Sequence, residues 1–332
     1  MASSEKINYR LRPNKAVERR MLGEMLSRID KIADLSGYRY IGFGSTYFAD
    51  FSLFHRTLGI DDMISIEGDD KVLERCRINK PYNCIELRSG KSGEVLPELD
   101  LADRPSIIWL DYDGPLMDYV FEDINTVLTS VTPGSFFIIS VNADFTKIRL
   151  GAEKEKGSKK SERCKNYFKT LIGSGRFPEK YESTGLKQSD YHEIIYRTVI
   201  NEMEAAAIRN PGTEEGPLKF HQAVHFKYSD GAQMLTIGGF IFSEAKEKIT
   251  VKTMGLADLP YYRNSGETFE ISCPVLSIKE TNELNALLPA KIDKLEDIDS
   301  INDLNEYPID NQYIYEYSRL YRYYPSYIES LL

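Results

Sequence analysis

Between Tyr38 and Asp70 the chain carries a pattern that few folds accommodate. An apolar run over 38–43 leads into two glycines one residue apart, Gly42 and Gly44. A segment with Tyr47, Phe51, Phe54 and Leu58 at helical spacing follows, then a second apolar run over 62–67 that closes on Glu67. Strand, glycine corner, amphipathic helix and a strand ending in an acid form the front half of a nucleotide-binding α/β unit. The glycines let a ligand approach the backbone, the helix start offers free N–H groups, and the carboxylate can accept from ribose hydroxyls.

The alternation continues beyond this unit. The pattern predicts a helix over 70–78 that closes before Pro81, because a residue preceding proline is pushed out of α geometry. A short strand is expected at 84–87, and an uninterrupted apolar strand at 106–110, as in a central parallel strand covered on both faces. A helix over 116–130, a turn at Thr132-Pro-Gly and a fifth strand at 136–141 follow. The rhythm then breaks into an insertion at about 145–219, with helices near 161–172 and 190–208. Two β-rich runs around Asp230-Gly231 within 221–242 make a hairpin. Ahead of all this, 15–33 reads as a helix with Val17, Met21, Leu22, Met25, Ile29 and Ile32 on one face. Arg12, Lys15, Arg19 and Arg20 fall largely elsewhere, and are therefore either exposed or in contact with something acidic.

The expected architecture is an α/β, doubly wound, mostly parallel seven-stranded sheet ending in an antiparallel hairpin, with a helical insertion and a C-terminal extension. Three parts are expected: an N-terminal arm and helix (1–36), a ligand-binding domain (37–245), and an extension (246–332) packed on it. That extension ends in a tyrosine-rich tail suited to packing or to a protein partner.

Composition narrows the class further. No apolar run approaches the roughly 20 residues that span a bilayer, and the N-terminus lacks a signal-peptide core, so a cytoplasmic chain without membrane contact is expected. Cys76, Cys84, Cys164 and Cys273 lie far apart without metal-type spacing, as free thiols in a reducing compartment would. A net charge of −9 argues against a generic nucleic-acid coat. The charge is uneven, however: 147–169 holds nine Lys/Arg against three Glu, whereas 293–310 is acidic. The basic stretch reads as a solvated surface or as a holder of phosphates.

Five α/β units closed by a β-hairpin resemble the class I, Rossmann-like S-adenosylmethionine (SAM)-dependent methyltransferases, over about 38–242 outside the insertion. The local pieces are Ile41-Gly-Phe-Gly-Ser, Glu67, Gly90-Lys-Ser-Gly-Glu-Val-Leu-Pro, Trp109-Leu-Asp-Tyr-Asp-Gly-Pro and Thr132-Pro-Gly-Ser. The resemblance implies SAM as cofactor, held by Gly42, Gly44, Ser45, Thr46, Glu67, Gly68, Ser89, Gly90, Ser92 and Tyr112. It implies Asp111, and next Asp113, as the carboxylate that holds the incoming group or accepts its proton. The chain differs from the family in the turn after its third strand, where an acid is frequent and Lys91 and Ser92 stand here. It also lacks an Asp/Asn-Pro-Pro-Tyr motif, which disfavours methylation of amino groups on bases.

Asp111, Asp113, Asn142 and Asp144 together also resemble the oxygen set of catechol-type O-methyltransferases, which would imply Mg2+. The acceptor stays open at this point. RNA or DNA could bind through the basic 147–169 loop and the N-terminal arm, or the acceptor could be a smaller phosphorylated or hydroxylated molecule. Two other functions compete: a methyltransferase-like interaction module without catalysis, and an NAD-dependent oxidoreductase. The latter predicts a third glycine near position 47, where Tyr47 stands.

Overall fold

A computed structural model describes residues 12–214, 216–300 and 309–325 of the chain. The end of the tyrosine-rich tail and much of the acidic 293–310 run lie outside the described residues.

Helix α1 spans Pro13–Ser27. Pro13 suits the first turn, where its missing N–H costs nothing. Asp230, in the distant hairpin turn, caps this start by accepting from the N–H groups of Lys15 (2.9 Å) and Asn14 (3.3 Å). The helix stops short of the expected 33, tightening into a 3-10 turn at Arg28–Lys31. β1 (Arg39–Phe43), α2 (Ala49–Leu58), β2 (Asp62–Glu67), α3 (Asp70–Asn79) and β3 (Ile85–Ser89) follow in the expected order. A single turn, α4 (Ser92–Val95), leads to β4 (Ser106–Pro115), then α5 (Asp118–Leu128) and β5 (Phe136–Asn142).

The insertion supplies α6 (Phe145–Gly151), α7 (Lys160–Ile172) and the long α8 (Gln188–Arg209). The hairpin is β6 (Leu218–Ser229) with β7 (Gln233–Ser243). Beyond it come α9 (Glu247–Met254), a two-residue β8 (Phe269–Glu270), α10 (Ile278–Leu287) and α11 (Asn311–Leu320).

The sheet order is β3-β2-β1-β4-β5-β7-β6-β8. β1 to β5 are mutually parallel, while β7 runs antiparallel to both β5 and β6. The expected seven strands are present, and the sheet has an eighth, β8, which pairs parallel to β6 through Phe269 and Glu270. A two-residue strand has no period to read, which is why the sequence pattern misses it.

Alternation along the central strands splits the core into two layers. On one face Ile108, Leu110, Phe137 and Ile139 pack with α5, α7 and α8. On the other, Tyr40, Trp109, Phe136 and Ile138 pack with α1 and α2. Val17, Met21, Leu22 and Met25 of α1 are fully buried in that second layer. Each such side chain contributes roughly 1.5–3 kcal/mol by leaving water. The described part of the tyrosine tail closes over α1: Tyr323 stands edge-on to Tyr261 at 5.6 Å, and Arg20 donates to the carbonyls of Tyr323 and Tyr324. All four cysteines are free. Among the described residues no helix is long and apolar enough to cross a membrane.

Candidate active site

The strand order reverses between β1 and β4, and a cavity of about 780 Å³ opens there, at the carboxyl ends of the parallel strands. A crevice at such a switch point is where open α/β sheets bind ligands. Four stretches wall it: the corner after β1, the acid after β2, the turn after β3 and the end of β4. Helix α1 adds Lys15 and Arg19.

At the first corner Gly44 and Ser45 face the cavity. A Cβ on Gly44 would stand 2.0 Å from Ser65 Oγ, so only glycine lets β1 leave the sheet this close to β2. Phe48, just before α2, is held at φ 46°, left-handed geometry that costs a non-glycine residue on the order of 1–2 kcal/mol. Its ring, fully buried against Phe51, offsets that cost and fixes the corner.

Gly42, expected at the cofactor, is not among the residues that line the cavity. It is buried outside the cavity, and a Cβ there would strike the Tyr40 ring on the same strand face, 2.7 Å from its hydroxyl oxygen. Thr46 is also buried away from the cavity, its hydroxyl without a partner.

Glu67 and Gly68 line the next wall. Glu67 Oε1 accepts from the Asp69 N–H at 3.0 Å, while Oε2 faces the Cys76 thiol at 3.8 Å. Burial raises the Glu67 pKa above the ordinary value, and the Asp69 N–H opposes that rise. After β3, Gly90 donates to the Glu67 carbonyl and turns at φ 138°. Gly90 and Ser92 reach the cavity; Ser89 does not, and its hydroxyl donates to Asp70.

β4 outruns its expected end. Its register against β5 slips between Asp111 (opposite Ser140) and Pro115 (opposite Asn142), so a bulge pushes Asp111, Tyr112, Asp113 and Gly114 into the cavity wall. Bulges re-aim side chains beside functional sites. Tyr112 forms wall only: its hydroxyl is spent on Asp123 at 2.6 Å.

Beneath the bulge lies a buried polar network. The Lys15 ammonium sits 2.9 Å from Asp111 Oδ2, 2.8 Å from Glu18 Oε2 and 3.0 Å from the Tyr228 hydroxyl, 4.3 Å above the Trp109 ring. Glu18 accepts from Thr236, which pairs with Ser140, and Ser140 accepts from the Trp109 indole at 3.0 Å. Burial raises the pKa of Glu18 against the pull of Lys15. One turn along α1, Arg19 is buried at the cavity wall, with no hydrogen bond or ion pair to another described residue. Asp50 lies nearby and accepts from the Tyr40 hydroxyl; burial raises its pKa, and Arg19 pulls the other way.

Lys15, Arg19 and Asp50, with Tyr119 and Glu122 of α5, are lining residues that the sequence did not mark as site residues. The one signal was the charge at 15 and 19 on an otherwise apolar helix, and of its two readings, contact with acids is the one that holds for Lys15.

The proposed magnesium set does not assemble. Asn142 accepts from the Asp144 N–H at 3.0 Å, and Asp144 accepts from the Thr146 N–H at 2.8 Å as the cap of α6. Neither lines the cavity. Among the described residues, the group of His, Cys and acids close enough to share an ion is His55, Asp61 and Cys84, at the opposite, amino end of the strands. None of the four histidines reaches the cavity. His192 meets the Ala143 carbonyl, and His221 bridges Glu247 and Tyr262.

A family profile described as "Putative O-methyltransferase" matches residues 7–332. No curated protein matches the chain. Among solved structures, it is similar to Trm1 from Pyrococcus horikoshii with S-adenosyl-L-methionine: 13% identity, TM-score 0.42, covering 72% of this chain and 57% of that one. It is also similar to the O-methyltransferase from Bacillus cereus in complex with S-adenosylhomocysteine (SAH): 14% identity, TM-score 0.35, covering 66% and 80%. Of the first four structures matched, the chain spans between 52% and 75% of the partner's length, and in three of them less than two thirds.

Proposed function

We propose, for a chain that belongs to the family described as "Putative O-methyltransferase", that the cavity binds SAM and methylates a small hydroxylated acceptor. The observation that carries this reading is the convergence of Gly44, Glu67 and the Asp111 bulge on one cavity at the switch point. The lining fits the cofactor. A glycine stands where a Cβ would collide, an acid follows at the next strand end, and the Arg19 guanidinium, without a hydrogen bond to another described residue, lines the same cavity.

In this reading Glu67 accepts from the ribose hydroxyls, and Arg19 faces the carboxylate of the methionine tail. When bound, SAM supplies a methyl group already activated on a sulfonium. The work left to the chain is alignment and proton acceptance. Lys15 holds one oxygen of Asp111, a residue of the cavity wall, and in this reading the other accepts from the acceptor's hydroxyl. Asp113 lies two residues along the same bulge as a second acceptor for that proton. No step is drawn through magnesium, because Asn142 and Asp144 lie outside the lining that brings Asp111 and Asp113 together.

The small-molecule reading is supported over a nucleic-acid one by the lining. No residue of 147–169 contributes to it, and Lys165 and Lys169 of that segment clasp Glu182 instead. Titration calorimetry with SAH tests the proposal. Wild type is expected to bind and Glu67→Ala to bind roughly 10- to 100-fold more weakly, the worth of hydrogen bonds to a charged group. No heat at millimolar SAH would favour the interaction module.

A further inference from the structure

We propose that His55, Asp61 and Cys84 form a site for one divalent cation of the zinc class, at the end of the sheet opposite the cavity and independent of what the cavity binds.

The chain brings the three donors together from separate elements. His55 lies in the last turn of α2. Gly59, at φ 68°, ends that helix by donating to the His55 carbonyl at 3.1 Å, and Ile60 and Asp61 then lead back past the histidine into β2. β3 pairs beside β2, and the Met63 N–H donates to the Cys84 carbonyl at 3.2 Å, which sets Cys84 at the same edge. The Tyr82 ring covers the imidazole, with ring centres 4.3 Å apart. Donors drawn from a helix, a turn and a strand entry leave no spacing motif in the sequence.

One ring nitrogen is the focus. His55 Nδ1 lies 3.1 Å from Asp61 Oδ1, 3.1 Å from the Ile60 carbonyl oxygen and 3.7 Å from Cys84 Sγ. A single proton serves this arrangement poorly. Carried on Nδ1, it is divided among two oxygens and a sulfur; donated by the thiol, it leaves both oxygens facing the nitrogen lone pair. A cation among the donors attracts all of them.

The dimensions fit such an ion. Zinc bonds of about 2.0–2.1 Å to nitrogen and oxygen and about 2.3 Å to sulfur, at tetrahedral angles, separate nitrogen from oxygen by about 3.3 Å and nitrogen from sulfur by about 3.5 Å. The observed 3.1 and 3.7 Å come close to those edges. All three donor atoms lie within 4.8 Å of one another, and the Asp61 side chain, 76% exposed, has room to turn and close the third edge. A carboxylate and a thiolate balance the two positive charges, the thiol proton leaving to solvent. Imidazole with thiolate selects a borderline ion over magnesium or calcium, which take oxygen ligands. The fourth position falls to the Ile60 carbonyl or to water.

Titration of the full chain with Co2+, followed by competition with Zn2+, tests this without any methyl transfer. Wild type is expected to take up one equivalent of Co2+ with a thiolate-to-metal charge-transfer band in the near ultraviolet. Zn2+ is expected to displace that band, and excess Mg2+ to leave it. Cys84→Ser is expected to abolish the band and Cys273→Ser to keep it. Loss of an outer-shell partner alone costs about 10- to 100-fold in metal affinity, so loss of a ligand, as in His55→Gln or Asp61→Asn, is expected to weaken Zn2+ by at least roughly that much. Asp61 is exposed, so Asp61→Asn carries the test even where Cys84→Ser does not fold. A wild type without the band, a band that survives Cys84→Ser or is lost in Cys273→Ser, or unchanged Zn2+ affinity in Asp61→Asn overturns the proposal. Uptake of metal without the thiolate band marks adsorption at the surface and overturns it as well.

Discussion

Lys15 and Asp111, 96 positions apart in the chain, meet at 2.9 Å and tie the first helix to the bulge of the central strand. Lys15 is 2% exposed and also carries Glu18, so its ammonium compensates two carboxylates at once. Removing one partner of a buried pair leaves an unpaired charge and costs about 3–5 kcal/mol. Lys15→Met is expected to lose stability on that scale in urea unfolding. In a double-mutant cycle with Asp111→Asn, the two losses are expected to fall short of additivity by about 0.5–3 kcal/mol. Additive losses would show that the contact does not couple helix and strand.

Sequence pattern and structure agree where the information is local. The run β1, glycine corner, α2, β2 and Glu67 is legible because every step depends on neighbours within a few residues. Long-range contacts decide the rest. Lys15 and Arg19 lie on a helix whose apolar face is readable, but their own burial depends on β4 and on the hairpin bearing Tyr228 and Asp230. Gly42 carries the same local signature as Gly44, yet its glycine serves the Tyr40 ring two residues back. Asn142 and Asp144 stand where a strand-end ligand would, yet each gives an oxygen to a turn N–H and neither lines the cavity. The bulge after Leu110 is invisible to periodicity, although it is what turns Asp111 and Asp113 into the cavity.

The corner at Gly44 offers a sharp steric test. Gly44→Ala places a methyl 2.0 Å from Ser65 Oγ, a buried hydroxyl with no hydrogen-bond partner, and 3.3 Å from Ser65 Cβ. Overpacking of this kind costs typically 1–3 kcal/mol. Thermal unfolding is expected to show that loss in Gly44→Ala and to recover most of it in Gly44→Ala with Ser65→Gly. No recovery would mean that the glycine is needed for something other than this contact.

Arg19 separates the two ends of the proposed cofactor. Its guanidinium lines the cavity, 7% exposed and unpaired among the described residues. If it holds the methionine carboxylate, Arg19→Met is expected to weaken SAH about 10- to 100-fold while leaving methylthioadenosine, which lacks that carboxylate, unchanged. Equal weakening of both ligands would point to a collapsed cavity, and no weakening of either would remove Arg19 from cofactor binding. Competitive calorimetry distinguishes the three.

His225 sets a pH dependence remote from the cavity. It lies in β6, 3% exposed, stacked on Tyr196 with ring centres 4.3 Å apart. Burial lowers its pKa from 6.5 to about 4, outweighing the backbone carbonyls that favour the charged ring. The folded state therefore resists a proton that the unfolded chain accepts near 6.5. The associated stability is present above pH 6.5 and is lost as pH falls toward 4, since the unfolded state then binds more protons. From the size of the shift the loss between pH 7.5 and 4.5 is about 2–3 kcal/mol. His225→Phe, which keeps a ring against Tyr196 and cannot titrate, is expected to flatten urea-derived stability over that interval by the same amount. An unchanged slope in the variant would remove His225 as its source, and the buried acids could not take its place, because their sign is opposite. Glu18, Asp50 and Asp123 have raised pKa values, so their contribution is lost as pH rises rather than as it falls.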